Sequence, residues 1–182
     1  MSPHVCPWWG GYFIDNRFRR LVHRPEEILA PYVKAGQTTV DFGCGMGMFA
    51  IALAHLVGEE GCVIAVDVQQ KMLNVLRKRA AAAGVAARIR THRCGADSLG
   101  LDMQADFALA FYSAHEVPDP QRLVGDLHAS LRYGAKLLVA EPVGHVTRAA
   151  FQAFLGRAEQ VGFMQLESPP IRWSHAALLL RG

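Results

Sequence analysis

Short apolar runs alternate along the chain with amphipathic stretches, and glycine or proline stands at most of the joints. A continuous apolar run reads as a strand covered on both faces, and apolar residues at every third or fourth position read as a helix packed on it. The first strand approaches a turn through Thr38, Thr39 and Val40, and strands follow at 62–67, 87–93, 106–111 and 136–141. The helical pattern predicts a helix from Pro25 to Gly36 and one over 46–57 with Phe49, Leu53 and Leu56 on a stripe. Others run over 70–83, along Leu123, Leu127 and Leu131 to just before Gly134, and along Phe151, Phe154, Leu155, Ala158 and Val161. Two last strands, 163–167 and 174–180, joined through Pro169-Pro170, suit an antiparallel pair at the end of the sheet. Regular alternation of strand and helix implies an α/β, doubly wound, mostly parallel sheet with right-handed crossovers. Ligands bind such sheets beyond the carboxyl ends of the strands, so the loops after strands 1, 2, 4 and 5 carry the function.

Composition changes this picture little. With 182 residues, 51% hydrophobic and 19% charged, the chain suits one α/β domain with a sizeable core. A net charge of +3 does not by itself argue for nucleic acid or a membrane surface. No apolar run reaches the roughly 18 residues that span a bilayer, and the first residues lack a signal-peptide pattern, so a cytoplasmic protein is expected. Cys6, Cys44, Cys62 and Cys94 show no C-x-x-C spacing; the last three fall in or beside strands and read as small buried hydrophobes. Residues 1–24 differ from the rest, with four aromatics in Pro7-Trp8-Trp9-Gly10-Gly11-Tyr12-Phe13 and a basic cluster after them. They read as an appendage to the domain at 25–182.

The chemistry centres on Val40-Asp41-Phe42-Gly43-Cys44-Gly45-Met46-Gly47, a strand running into three glycines and then into a helix. Glycine is wanted where the backbone takes positive φ or touches a ligand, so a binding loop is expected. The dinucleotide fingerprint fails, because its sixth position is Met48 and Gly47 falls one residue early. Asp41 would also repel phosphates at the helix N-terminus while attracting an ammonium or sulfonium. S-adenosylmethionine (SAM) carries both cations and no phosphate. Glycine-rich turns also occur merely to close a strand onto a helix. Asp67, at the end of the second strand, can accept both ribose hydroxyls of an adenosine lying across strands 1 and 2. Alone it would read as a solvated strand-end acid; the glycine loop one strand earlier favours the ribose role.

The glycine stretch belongs to a longer series. It is followed by Gly61-Cys62-Val63-Ile64-Ala65-Val66-Asp67-Val68 with Met72-Leu73, by Ala105-Asp106-Phe107-Ala108-Leu109-Ala110, by His115-Glu116-Val117-Pro118-Asp119, and by Leu131-Arg132-Tyr133-Gly134-Ala135-Lys136-Leu137. In order and spacing these resemble the motifs of class I SAM-dependent methyltransferases, and within them the small-molecule type related to the quinone-pathway enzymes. The resemblance runs from about residue 26 to the end. It implies a seven-stranded Rossmann-like sheet with an antiparallel last strand, SAM as cofactor and S-adenosylhomocysteine (SAH) as product. It further implies Asp41 and the loop Gly43, Cys44, Gly45 and Gly47 for the methionine part, Asp67 for the ribose, and Val68 and Met72 for the adenine faces. Gly95, Ala96 and Phe111 complete the expected cofactor set. Gly95 departs from the pattern, standing where relatives carry an acid for the adenine amino group, and Asp97 or backbone near Gly95 would substitute.

Methyl transfer from a sulfonium needs alignment, water exclusion and, for some acceptors, removal of a proton. Neither a metal nor a reactive cysteine is expected. His115 is the candidate catalytic residue, since a neutral imidazole accepts a proton near pH 7; the alternative is that it only pins its loop. The acceptor is expected between the N-terminal aromatics and the loops after strands 4 and 5, at Trp9, Tyr12, Tyr112, Glu116, Glu141 and His145. The expected partner is a small molecule, with neither nucleic acid nor a membrane span, and a homodimer is left open. A nicotinamide oxidoreductase is opposed by the glycine count and Asp41. A nucleic-acid amino-methyltransferase would show an Asn/Asp-Pro-Pro-aromatic stretch where this chain reads Tyr112-Ser113-Ala114-His115, and a metal-dependent catechol enzyme would show more carboxylates than Glu116. A non-catalytic SAM-binding regulator would keep the cofactor side and lose the substrate side.

Overall fold

A computed structural model describes residues 22–95 and 98–182. Seven strands form one sheet: β1 Thr38–Phe42, β2 Cys62–Asp67, β3 Ile89–Arg93, β4 Ala105–Phe111, β5 Leu131–Pro142, β6 Phe163–Glu167 and β7 Ser174–Arg181. Their spatial order is β3-β2-β1-β4-β5-β7-β6. The chain turns left from β1 to β2 and β3 and then returns to β1's other side with β4, so the crevice lies at the carboxyl ends of β1 and β4. Both β5 and β6 pair with β7 antiparallel. The antiparallel last strand is therefore as expected, but β7 sits inside the sheet and β6 forms its edge.

Among the described residues the helices that cover the sheet are α1 Pro25–Leu29, α2 Met48–Val57, α3 Gln70–Ala82, α4 Pro120–Ala129 and α5 Arg148–Gln160. Two apolar cores flank the sheet. Leu29, Phe49, Leu53, Leu73 and Leu76 from α1 to α3 cover one face, and Leu123, Leu127, Phe151, Phe154 and Leu155 from α4 and α5 cover the other. Local chemistry sets the helix starts. Pro120 follows Asp119, whose carboxylate accepts from Arg122 N, and Thr147 Oγ1 accepts from Ala150 N ahead of α5. Among the described residues no helix is long and apolar enough to cross a membrane.

Two element boundaries differ from the expectation by more than two residues. The helix opened by Pro25 closes at Leu29, and turns carry the chain on to Gly36. Leu131 is the first residue of β5, opposite Ala105, and α4 ends at Ala129. A strand buries Leu131 as fully as a helix would, so fourth-residue spacing could not tell the two apart. The residues after it bulge out of the ladder, which resumes at Lys136 opposite Phe107 and leaves Arg132, Tyr133 and Gly134 exposed.

Candidate active site

The glycine loop closes β1 onto α2, and its three glycines do different work. All three have positive φ. A Cβ on Gly43 would lie 2.3 Å from the Ser113 Cβ, and one on Gly47 would lie 2.1 Å from a Leu76 methyl, so these two let other elements pack against the loop. A Cβ on Gly45 would meet nothing within 4 Å. Gly45 therefore faces the open crevice, as backbone that a ligand approaches closely should.

Asp67 ties the loop to β2. Its Oδ2 accepts from Gly45 N at 3.0 Å and its Oδ1 from Gln69 N at 2.8 Å, while the side chain is almost fully buried. Burial pushes its carboxyl above the ordinary aspartate value, against the two N–H donors that hold it down. Asp41 is buried within β1 between Ala65 and Leu109. Burial, reinforced by the charges of Asp41 and Asp67, raises the Cys44 thiol well above its usual range, so it stays protonated rather than reactive. Cys94, across β2 from the loop, is pushed to about 11 chiefly by burial. Of the other expected cofactor residues, Met72 is buried, Val68 half-buried and Gly95 exposed; Ala96 lies outside the described residues. The open face at Gly45 and the acid at the end of β2 fit an adenosyl group carrying a cationic tail.

The expected acceptor residues among those described lie on or beside the loops after β4 and β5. The Ser113 hydroxyl donates to Phe42 O at 2.9 Å, locking this loop onto the glycine loop. Phe111 is buried, its ring 4.2 Å from Phe49 and 4.6 Å from Tyr112. Tyr112 takes φ 59°, and its hydroxyl meets Ser174 Oγ at 2.7 Å, His23 Nε2 at 3.1 Å and Trp173 O at 3.3 Å. Glu141 is buried, and its two oxygens accept from Ala114 N, at 2.9 Å, and from His115 Nδ1. That hydrogen bond raises the His115 pKa above 6.5; burial opposes it, and the charges of Glu141 and Glu116 add to it. The exposed His145 ring lies 6.3 Å from that of His115, and Glu116 is half-buried beside it. Trp9 and Tyr12 lie outside the described residues. Sequence reasoning did not single out Ser113, Ser174 or Trp173, which carry no local sign of these contacts, nor the bond that joins Glu141, expected at the acceptor, to His115.

A family model described as "Methyltransferase domain" matches residues 39–134, more than half of the chain. The chain belongs to that family. The methyltransferase assignment accords with the sequence resemblance to class I SAM-dependent enzymes of the quinone-pathway type, and SAM is the cofactor of such enzymes. Over 110 residues this methyltransferase is 29% identical to a ubiquinone/menaquinone biosynthesis C-methyltransferase, UbiE, of Marinomonas sp. strain MWYL1, covering 60% of this chain and 44% of that protein. Over 126 residues it is 28% identical to a demethylmenaquinone methyltransferase of Lactobacillus johnsonii, covering 67% of this chain and 52% of the relative. The chain spans about half the length of the curated relatives it matches. Its fold is similar to that of a SAM-dependent methyltransferase from Aquifex aeolicus, with a TM-score of 0.86 at 20% identity, over 98% of this chain and all of that one.

Proposed function

We propose that this chain transfers the methyl group of SAM to a small-molecule acceptor in the cytoplasm, with His115 as the base that takes the acceptor's proton. The observation that supports this reading is the pairing of His115 with buried Glu141 on a loop that Ser113 fastens to the glycine loop. When bound, SAM would supply a methyl group on a sulfonium, whose transfer to the acceptor leaves the neutral thioether SAH. The chain's own part is alignment. Asp67 accepts the ribose hydroxyls with lone pairs that its two backbone donors leave over. Asp41 adds negative charge at the loop that receives the methionine part. With Nδ1 engaged by Glu141, Nε2 is the nitrogen of His115 that takes a proton. Phe111 backs the crevice, and Tyr112, Glu116 and His145 bound the acceptor side. Closure against water by the segment 1–24 rests on Trp9 and Tyr12, which lie outside the described residues; what supports it is His23, near the end of that segment, whose ring bonds the Tyr112 hydroxyl on the β4 loop.

Incubation with SAM and panels of thiols, phenols, amines and metalloid oxyanions tests the proposal by release of SAH. Turnover with at least one class is expected, and deletion of residues 1–13 should raise the KM for that acceptor. Tight SAM binding with no SAH from any panel would make the chain a SAM-binding regulator, and preference for NAD over SAM would end the reading.

A further inference from the structure

Among the described residues, three that are not glycine have positive φ: Arg24 at 37°, Tyr112 at 59° and Trp173 at 57°. They meet at one place. Arg24 follows His23, whose ring bonds the Tyr112 hydroxyl, and that hydroxyl also reaches Trp173 O and Ser174 Oγ. Trp173 O accepts in addition from Val143 N at 3.1 Å, so the turn before β7 is tied to the loops after both β4 and β5. A bulky residue holds a left-handed conformation only where its surroundings fix it. Here they fix the backbone and leave the ring out: the Trp173 side chain is 52% exposed, and Val143 beside it is 51% exposed. The indole is therefore not used as core.

Arg172 completes the feature. Its guanidinium carbon lies 4.6 Å from the centre of the Trp173 ring, and among the described residues no carboxylate forms an ion pair with it. A guanidinium laid on an indole keeps its in-plane N–H donors available, and those match a carboxylate. Of the acids on the loops after β4 and β5, Glu141 is buried and bonded to His115 and Ala114, and Glu116 is half-buried.

We infer that the Arg172-Trp173 turn recognises the acceptor and that the acceptor is an aromatic acid, its ring packed on the indole and Val143 and its acid group on Arg172. This rests on the methyl-transfer reading only for the name acceptor. The test is calorimetric titration of the SAH-saturated full chain with benzoate, salicylate and cinnamate, each against its uncharged amide. At least one acid should bind about tenfold tighter than its amide. Arg172→Gln should bring the two within about twofold, and Trp173→Asn, which keeps a residue tolerant of positive φ, should weaken acid and amide alike. SAH affinity should not move in either variant. Equal binding of every acid and amide, no binding of either, or a preference that survives Arg172→Gln would overturn the inference. Titrating the chain with SAH first separates the two readings: failure to bind SAH counts against methyl transfer, and loss of the acid preference with SAH bound counts against this assignment.

Discussion

The backbone N–H of Gly45 donates to the Asp67 carboxylate at 3.0 Å, so the middle glycine of the loop and the acid that closes β2 form one unit although 22 residues separate them. The carboxylate thereby fixes the glycine loop.

Asp67→Ala should therefore lower SAM affinity through both contacts, by about 1–3 kcal/mol or tenfold and more. Affinity should also fall on acidification, and at a higher pH than an ordinary aspartate would give, because burial raises this carboxyl and its protonated form accepts the ribose hydroxyls poorly. The sign for folding is opposite. A carboxyl that holds its proton more tightly folded than unfolded favours the folded state as the pH drops through that window. Calorimetry and thermal melts across the same pH series should show binding lost without a matching loss of stability from this group.

The glycines should separate stability from binding. Gly43→Ala forces a methyl group against Ser113 as well as straining φ, and should cost about 2 kcal/mol or more of stability. Gly45→Ala has open space around it, so it should cost only about 1 kcal/mol of backbone strain yet cut SAM affinity by its intrusion into the crevice. Melting temperatures and SAM titrations of the two variants check the contrast; equal SAM affinity for wild type and Gly45→Ala would move the cofactor elsewhere.

If His115 is the base, turnover should rise with pH through an apparent pKa above 6.5, since the neutral imidazole is the active form and Glu141 stabilises the charged one. Glu141→Gln keeps an oxygen for Ala114 N but removes the charge, and should shift that profile to lower pH. His115→Ala should reduce turnover with SAM affinity nearly kept. A His115→Ala enzyme with normal turnover would leave proximity alone as the mechanism. For stability, the raised histidine contributes fully below its unfolded pKa and its share is lost as pH rises through the folded value.

The sequence by itself determined the strand, glycine loop and helix around which the proposed cofactor site is built. A strand, three alternate glycines and a helix are local, and an acid at the end of the next strand is displaced from them by one crossover of ordinary length, so chemistry and spacing were both readable along the chain. The parallel alternation and its two cores followed from apolar runs for the same reason. Tertiary structure alone decided the rest. The order β5-β7-β6, the passage of Leu131 into β5, the pairing of His115 with a glutamate 26 residues away and the joining of Tyr112 to Ser174 across 62 residues all depend on which strands become neighbours and in what register. Such choices are made by burial summed over the whole sheet, and a buried leucine or a loop tyrosine carries no local sign of the partner it will meet.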